Sequence, residues 1–70
     1  MKYLVLEIQT YGNGSVGNII NAYDTFETAE SAFHSVVASA VLSNLPKHTV
    51  VLLDDNGALY DVKSYVHNAE

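Results

Sequence analysis

The sequence predicts an α+β fold, a ββαββ two-layer sandwich in which a four-stranded antiparallel sheet carries one helix on one face. Residues 25–44 are the only long run with helical periodicity. Two turn-forming segments, residues 11–17 and 55–57, each separate a pair of short runs rich in β-branched and aromatic residues. A single helix between two hairpins covers only one face of their sheet.

The strands are predicted from alternation. In the first run, Leu4 and Leu6 share one face of a strand, whereas Tyr3 and Val5 share the other. The segment YGNGSVG reverses the chain, and Asp55-Asn56-Gly57 is a signal for a type I′ or bulged hairpin turn. The predicted strands are residues 2–10, 16–23, 48–55 and 58–67.

The helix is predicted to begin after Asp24, which is a good N-cap, with Glu27 completing a capping box. Asn44 and Pro46 end it. The side chains that recur at helical spacing form the predicted core stripe: Phe26, Ala29, Phe33, Val36, Val37 and Ala40.

The chain is short for a protein without disulfides. Its 70 residues make one domain, residues 1–70, and contain no cysteine. Small domains bury a smaller fraction of their surface than large ones. Self-association is therefore the expected supplement to a small core.

The charge and hydropathy of the sequence limit the kinds of partner that we expect. The formal net charge is −5, with three Lys and no Arg, so binding to duplex nucleic acid through its phosphates is not expected. The same negative net charge argues against binding to an anionic membrane surface. No run is long enough to span a membrane, and the N-terminus lacks the features of a signal peptide. We expect a soluble, cytosolic protein.

The apolar surface exceeds what one sheet and one helix bury. The apolar arc of the helix is wider than one covered face needs. We also expect Tyr3, Val5, Ile19 and Tyr23 on the sheet face that the helix leaves open. A homo-oligomer is predicted, with an interface that includes Val5, Tyr23, Ala38, Val41, Leu42 and Leu45.

No motif indicates catalysis. His34, His48 and His67 lack the close spacing of metal ligands. The acids Asp54, Asp55 and Asp61 are more typical of a solvated hairpin tip than of a cation site. Phosphate-binding, metalloprotease, hydrolase and dinucleotide fingerprints are missing from the sequence. We predict neither an enzyme, nor a metal site, nor a cofactor.

The Gly-rich loop is the most suggestive feature for ligand contact. Its backbone N–H groups suit a phosphate, and nearby tyrosines suit a base. One small subunit does not enclose a ligand, so the site is predicted between subunits. The candidate ligand-binding residues are Tyr3, Tyr11, Asn13, Gly14, Asn18, His34, Lys47 and His48.

Four segments resemble a family of small proteins encoded by phages and prophages of Firmicutes bacteria: KYLVLEIQT at 2–10, GSVGNII at 14–20, AESAFH at 29–34 and NLPKH at 44–48. The resemblance covers nearly the whole chain and carries no catalytic residues. It implies an accessory factor that binds host molecules in the bacterial cytosol, or a minor component of the phage particle.

Three functions follow as expectations. The first is an anti-defence protein that sequesters a nucleotide-type immune signal between the subunits of a homo-oligomer. The second is an acidic inhibitor that docks on a basic site of a host defence protein. The third is a minor structural or assembly protein of the phage.

Overall fold

The fold is the predicted ββαββ arrangement. A computed structural model describes residues 1–67 and contains one sheet and one helix. The sheet is antiparallel throughout, in the order β2-β1-β3-β4, so the two hairpins pair through their first strands. In chain order, the elements are β1 (Tyr3–Thr10), β2 (Val16–Tyr23), α1 (Phe26–Val41), β3 (Lys47–Asp54) and β4 (Leu59–Val66).

Helix α1 is shorter than predicted, and its cap is one residue later. Thr25 is the N-cap, and its hydroxyl accepts a hydrogen bond from the Thr28 N–H. Asp24 does not cap the helix because its carboxylate pairs with the ammonium group of Lys2. The helix ends at Val41, where the Leu42 N–H turns back to the Ser39 and Ala40 carbonyls. The predicted N-cap at Asp24 and the predicted helix end at Asn44 are therefore corrected.

The core lies between α1 and the two central strands. Ala29, Phe33 and Ala40 of the helix are fully buried, and Phe26, Val36 and Val37 pack around them, so the predicted core stripe is confirmed. The buried sheet side chains are Val5 from β1 and Val50 and Leu52 from β3.

The predicted open face of the sheet is wrong. Val5 is only 2% exposed and lies beneath the helix. Tyr3 and Tyr23 also pack against the core, and the register places Ile19 on the same side, opposite Glu7. The face that the helix leaves uncovered is the other one, which carries Leu4, Leu6 and Ile8.

Both hairpins turn in the same way. In the first, the Gly14 N–H donates to the Tyr11 carbonyl and the Tyr11 N–H to the Ser15 carbonyl. In the second, Gly57 and Asp54 make the equivalent pair of bonds, to the carbonyls of Asp54 and Ala58. Gly14 and Gly57 have φ values of 88° and 86°, which L side chains rarely adopt. The second turn is thus the bulged alternative and not type I′, which needs two residues with positive φ.

Candidate functional site

The sheet side that faces away from α1, here called the open face, is largely apolar. The register places sixteen side chains there, in four rows across β2, β1, β3 and β4. Two adjacent rows are entirely apolar, and the other two are mixed. The rows are Ala22, Leu4, Leu53 and Leu59; then Ile20, Leu6, Val51 and Val62; then Asn18, Ile8, Thr49 and Ser64; and finally Val16, Thr10, Lys47 and Val66.

No element within residues 1–67 covers the open face, and its outer side chains are strongly exposed. Ile20 on β2 is 58% exposed, and Val62 and Leu59 on β4 are 46% and 61% exposed. Leu6 and Val51 on the inner strands are half-buried, because neighbouring side chains flank them on both sides. Monomeric proteins rarely leave a contiguous apolar surface of this kind in water, so it indicates an interface.

Charge is divided between the two sides of the molecule. Lys47 is the only ionisable residue in the four rows. The acidic residues of the described part of the chain lie instead on the helix side of the sheet, on α1 or in connections. Asp24, Glu27 and Glu30 group around the start of α1. The full set is Glu7, Asp24, Glu27, Glu30, Asp54, Asp55 and Asp61.

Two carboxylates are held by specific partners. A hydrogen bond and the positive charge of Lys2 lower the pKa of Asp24. Asp54 is buried, and its Oδ1 atom accepts the N–H groups of Asn56 and Ala58 at 2.9 and 3.0 Å, while Oδ2 accepts the Tyr60 hydroxyl at 3.0 Å. These hydrogen bonds lower the pKa of Asp54, and the bond from the Ala58 N–H has the largest effect. The hydrogen bond to Asp54 raises the pKa of the Tyr60 hydroxyl. Asp54 therefore organises the second hairpin as a fixed negative charge.

A bulge in β4 turns Tyr60 toward the helix. The register shifts by one residue between Leu52 and Leu53, so Tyr60 has no direct partner on β3. Its ring contacts Tyr3 and Phe26 at centroid distances of 6.0 and 5.5 Å. The three aromatic rings close the core at the start of α1.

A polar network closes the core at the opposite end of the helix. His48 is 4% exposed, and its Nε2 atom lies 2.9 Å from the Glu7 carboxylate. Its Nδ1 atom lies 3.2 Å from the Ser43 hydroxyl. The Ser43 carbonyl lies 2.5 Å from His67 Nδ1. Hydroxyl, imidazole and carboxylate follow one another as in a nucleophilic triad, and the imidazole is buried.

Comparisons with known proteins find no relative of this chain. Searches against protein-family models, curated proteins and solved structures find no match. Among residues 1–67, no helix is both long and apolar enough to cross a membrane, and no group of three or more His, Asp or Glu side chains is placed to hold a metal ion.

The predicted ligand-binding residues do not converge within one subunit. Tyr3 and His48 lie on the helix side at opposite ends of the sheet, and both pack against α1 or its C-terminal connection. His34 is exposed on the outer surface of α1, 3.9 Å from Glu30. Asn18 and Lys47 lie on the open face, in its two mixed rows. A site that uses all of these groups requires more than one subunit.

Three predicted ligand residues do share one turn: Tyr11, Asn13 and Gly14. The Asn13 side chain accepts the Ser15 N–H at 3.0 Å, and the Gly14 N–H bonds to Tyr11. The Tyr11 ring lies over Gly17, where an added Cβ would meet it at 3.2 Å, and its hydroxyl donates to Gln9. The backbone donors of Gly14 and Ser15 thus close the turn, and Tyr11 is exposed beside them.

The predicted interface residues fall into two groups. Val41 and Leu42, 47% and 83% exposed, form an apolar tip at the end of α1 beside exposed Ala38. Leu45 is half-buried, and Tyr23 packs against the core. Val5 belongs to the core, so its prediction as an interface residue is wrong.

Sequence reasoning missed the Glu7–His48–Ser43 network. Its members are 41 and 5 residues apart along the chain, and no short motif joins them. One signal was present, because Glu7 shares a strand face with Val5. A carboxylate on a buried strand face needs a donor from the facing elements.

Proposed function

We propose that the protein is a non-enzymatic accessory protein that binds another protein through its acidic helix side. The observation that carries this proposal is the division of charge: the helix side and the connections carry seven carboxylates against Lys2 and Lys63, whereas the four rows of the open face carry Lys47 alone. Surfaces of opposite charge steer partners together and select among them. The partner is therefore a protein with a basic patch.

The start of α1 is the centre of the proposed binding surface. Glu27 and Glu30 are both exposed, and Asp24, which pairs with Lys2, precedes them by one turn of chain. The resemblance to phage-encoded proteins adds the context of this proposal: the partner is a host defence protein, and the protein acts in the cytosol of the bacterial host.

Charge removal tests the proposal. We expect the double variant Glu27→Gln/Glu30→Gln to bind a basic partner about tenfold more weakly than wild type, which corresponds to about 0.7 kcal/mol for each lost charge pair. A partner captured from host lysate is first identified and purified, and its affinity is then measured by surface plasmon resonance at two salt concentrations. Higher salt is expected to weaken wild-type binding as well.

Ser39→Gln is the matched control, because it places the same amide side chain at another exposed position of α1. It is expected to bind like wild type. A partner that binds the double variant and the wild type equally, at both salt concentrations, would remove the acidic surface from the proposal.

Sequestration of a nucleotide-type signal is the second candidate. It is favoured by the turn that brings Tyr11, Asn13 and Gly14 together and leaves Tyr11 39% exposed, since aromatic rings stack on bases. Isothermal titration with cyclic dinucleotides and ADP-ribose derivatives is expected to give heat that Tyr11→Ala reduces. Absence of heat with wild type would exclude this candidate for those ligands.

A further inference from the structure

We propose that the open face is the contact surface of a homodimer, in which two copies of the chain stack sheet against sheet. The acidic surface of the preceding proposal lies on the other side of the molecule, so the two proposals stand or fall separately. Three features of the open face identify a second copy as its occupant: its size, its charge and its pattern of rows.

The size of the open face suits a small dimer. With about 3.3 Å per residue and about 4.8 Å between strands, four strands of eight residues measure roughly 26 by 19 Å, or about 500 Å² in plan. Two stacked copies would therefore bury about 1,000 Å² or more, because a surface of side chains is larger than its plan, and this reaches the lower limit of area expected of a biological interface.

The charge of the open face favours a second copy over other occupants. The chain carries a net charge of −5, so two copies repel each other on most approaches. The open face has no carboxylate and only Lys47, at one end, so two copies meet there with the least repulsion. A strongly basic partner finds no counter-charge on this face, and an anionic membrane is repelled by the rest of the molecule.

The pattern of rows on the open face also suits a second copy of the chain. The two fully apolar rows are adjacent and run across all four strands, so a two-fold stack can place apolar rows on apolar rows. Such a stack gives each chain a second core to supplement the few buried residues between α1 and the sheet. This is the supplement that a domain of this size needs.

Two isoleucines that are neighbours in the chain provide a matched test. Ile20 lies on the open face and Ile19 on the helix side of the same strand, and they are 58% and 45% exposed. By sedimentation equilibrium, wild type and Ile19→Asp are expected to have twice the 7.6 kDa mass of one chain. Ile20→Asp is expected to be a folded monomer, because a carboxylate on this face is buried without a partner in the dimer.

A distance measurement between spin labels tests the proposed dimer even if Ile20→Asp does not fold. The chain has no cysteine, so Ser64→Cys on the open face and Ser35→Cys on α1 each take one nitroxide. Sheets pack about 10 Å apart and each helix adds a further layer of about 10 Å, so the Ser64 labels are expected to be closer together than the Ser35 labels. A monomeric wild type would overturn the proposal. So would a dimer that only Ile19→Asp dissociates, or one in which the Ser35 labels are closer.

Discussion

Phe33→Ala is expected to remove about 3–5 kcal/mol from the free energy of unfolding. Phe33 is fully buried at the middle of α1, between the helix and the two central strands. A domain of this length has a total stability of only about 4–10 kcal/mol, at about 0.05–0.15 kcal/mol per residue. The variant is therefore expected to be largely unfolded in mild denaturant. Urea unfolding followed by far-UV circular dichroism measures the effect.

Phe26→Ala is the natural comparison, because Phe26 is the only other phenylalanine of the chain and begins the same helix. It is half-buried, with its ring in edge contact with Tyr3 at 5.7 Å and Tyr60 at 5.5 Å. We expect a loss of about 1–2 kcal/mol, since this site at the margin of the core lets water and neighbouring rings fill the space. An equal loss in the two variants would mean that the centre of the core is not at Phe33. Both variants are compared at several protein concentrations, because dimer formation adds to stability.

The elements of the fold are predictable from local patterns. The helix stripe repeats at 3.6 residues, and its predicted members are the ones that pack into the core. The two Asn-Gly pairs, Asn13-Gly14 and Asn56-Gly57, mark both hairpin turns because each turn needs one residue with positive φ. These signals are local, so one sequence is enough to detect them.

The orientation of the sheet is not predictable in the same way. Leu4, Leu6 and Ile8 form the more apolar face of β1, and an amphipathic pattern would place that face under the helix. The structure buries the other face, on which His48 is the partner of Glu7. The local pattern of β1 therefore favours the wrong face. Glu7 and His48 are 41 residues apart, so no local pattern reveals their contact.

The predicted ligand residues do not converge within one subunit for a related reason. The residues were chosen for their chemistry, and the strand order that sets their distances was not known. Tyr3 and His48 are both on the helix side, yet the pairing of β1 with β3 puts them at opposite ends of the sheet. Within the first turn, by contrast, Tyr11, Asn13 and Gly14 are local in sequence and lie together as expected.

His48→Ala is expected to cost about 3 kcal/mol of stability, because it leaves a cavity and removes the donor facing the Glu7 carboxylate. The ring of His48 is 4% exposed and both its nitrogens have partners. The Glu7 side chain is itself only 18% exposed, so water replaces the lost bond incompletely. The midpoint of thermal unfolding at neutral pH, with the enthalpy from calorimetry, measures the effect.

His34→Ala makes the same chemical change on the surface of α1, where the side chain is 64% exposed and 3.9 Å from Glu30. Its effect is expected to stay within about 0.5 kcal/mol. A large loss in His48→Ala with none in His34→Ala would assign the network of Glu7, His48 and Ser43 to stability. Equal, small effects would mean that the buried network does not hold the end of α1 against β1 and β3.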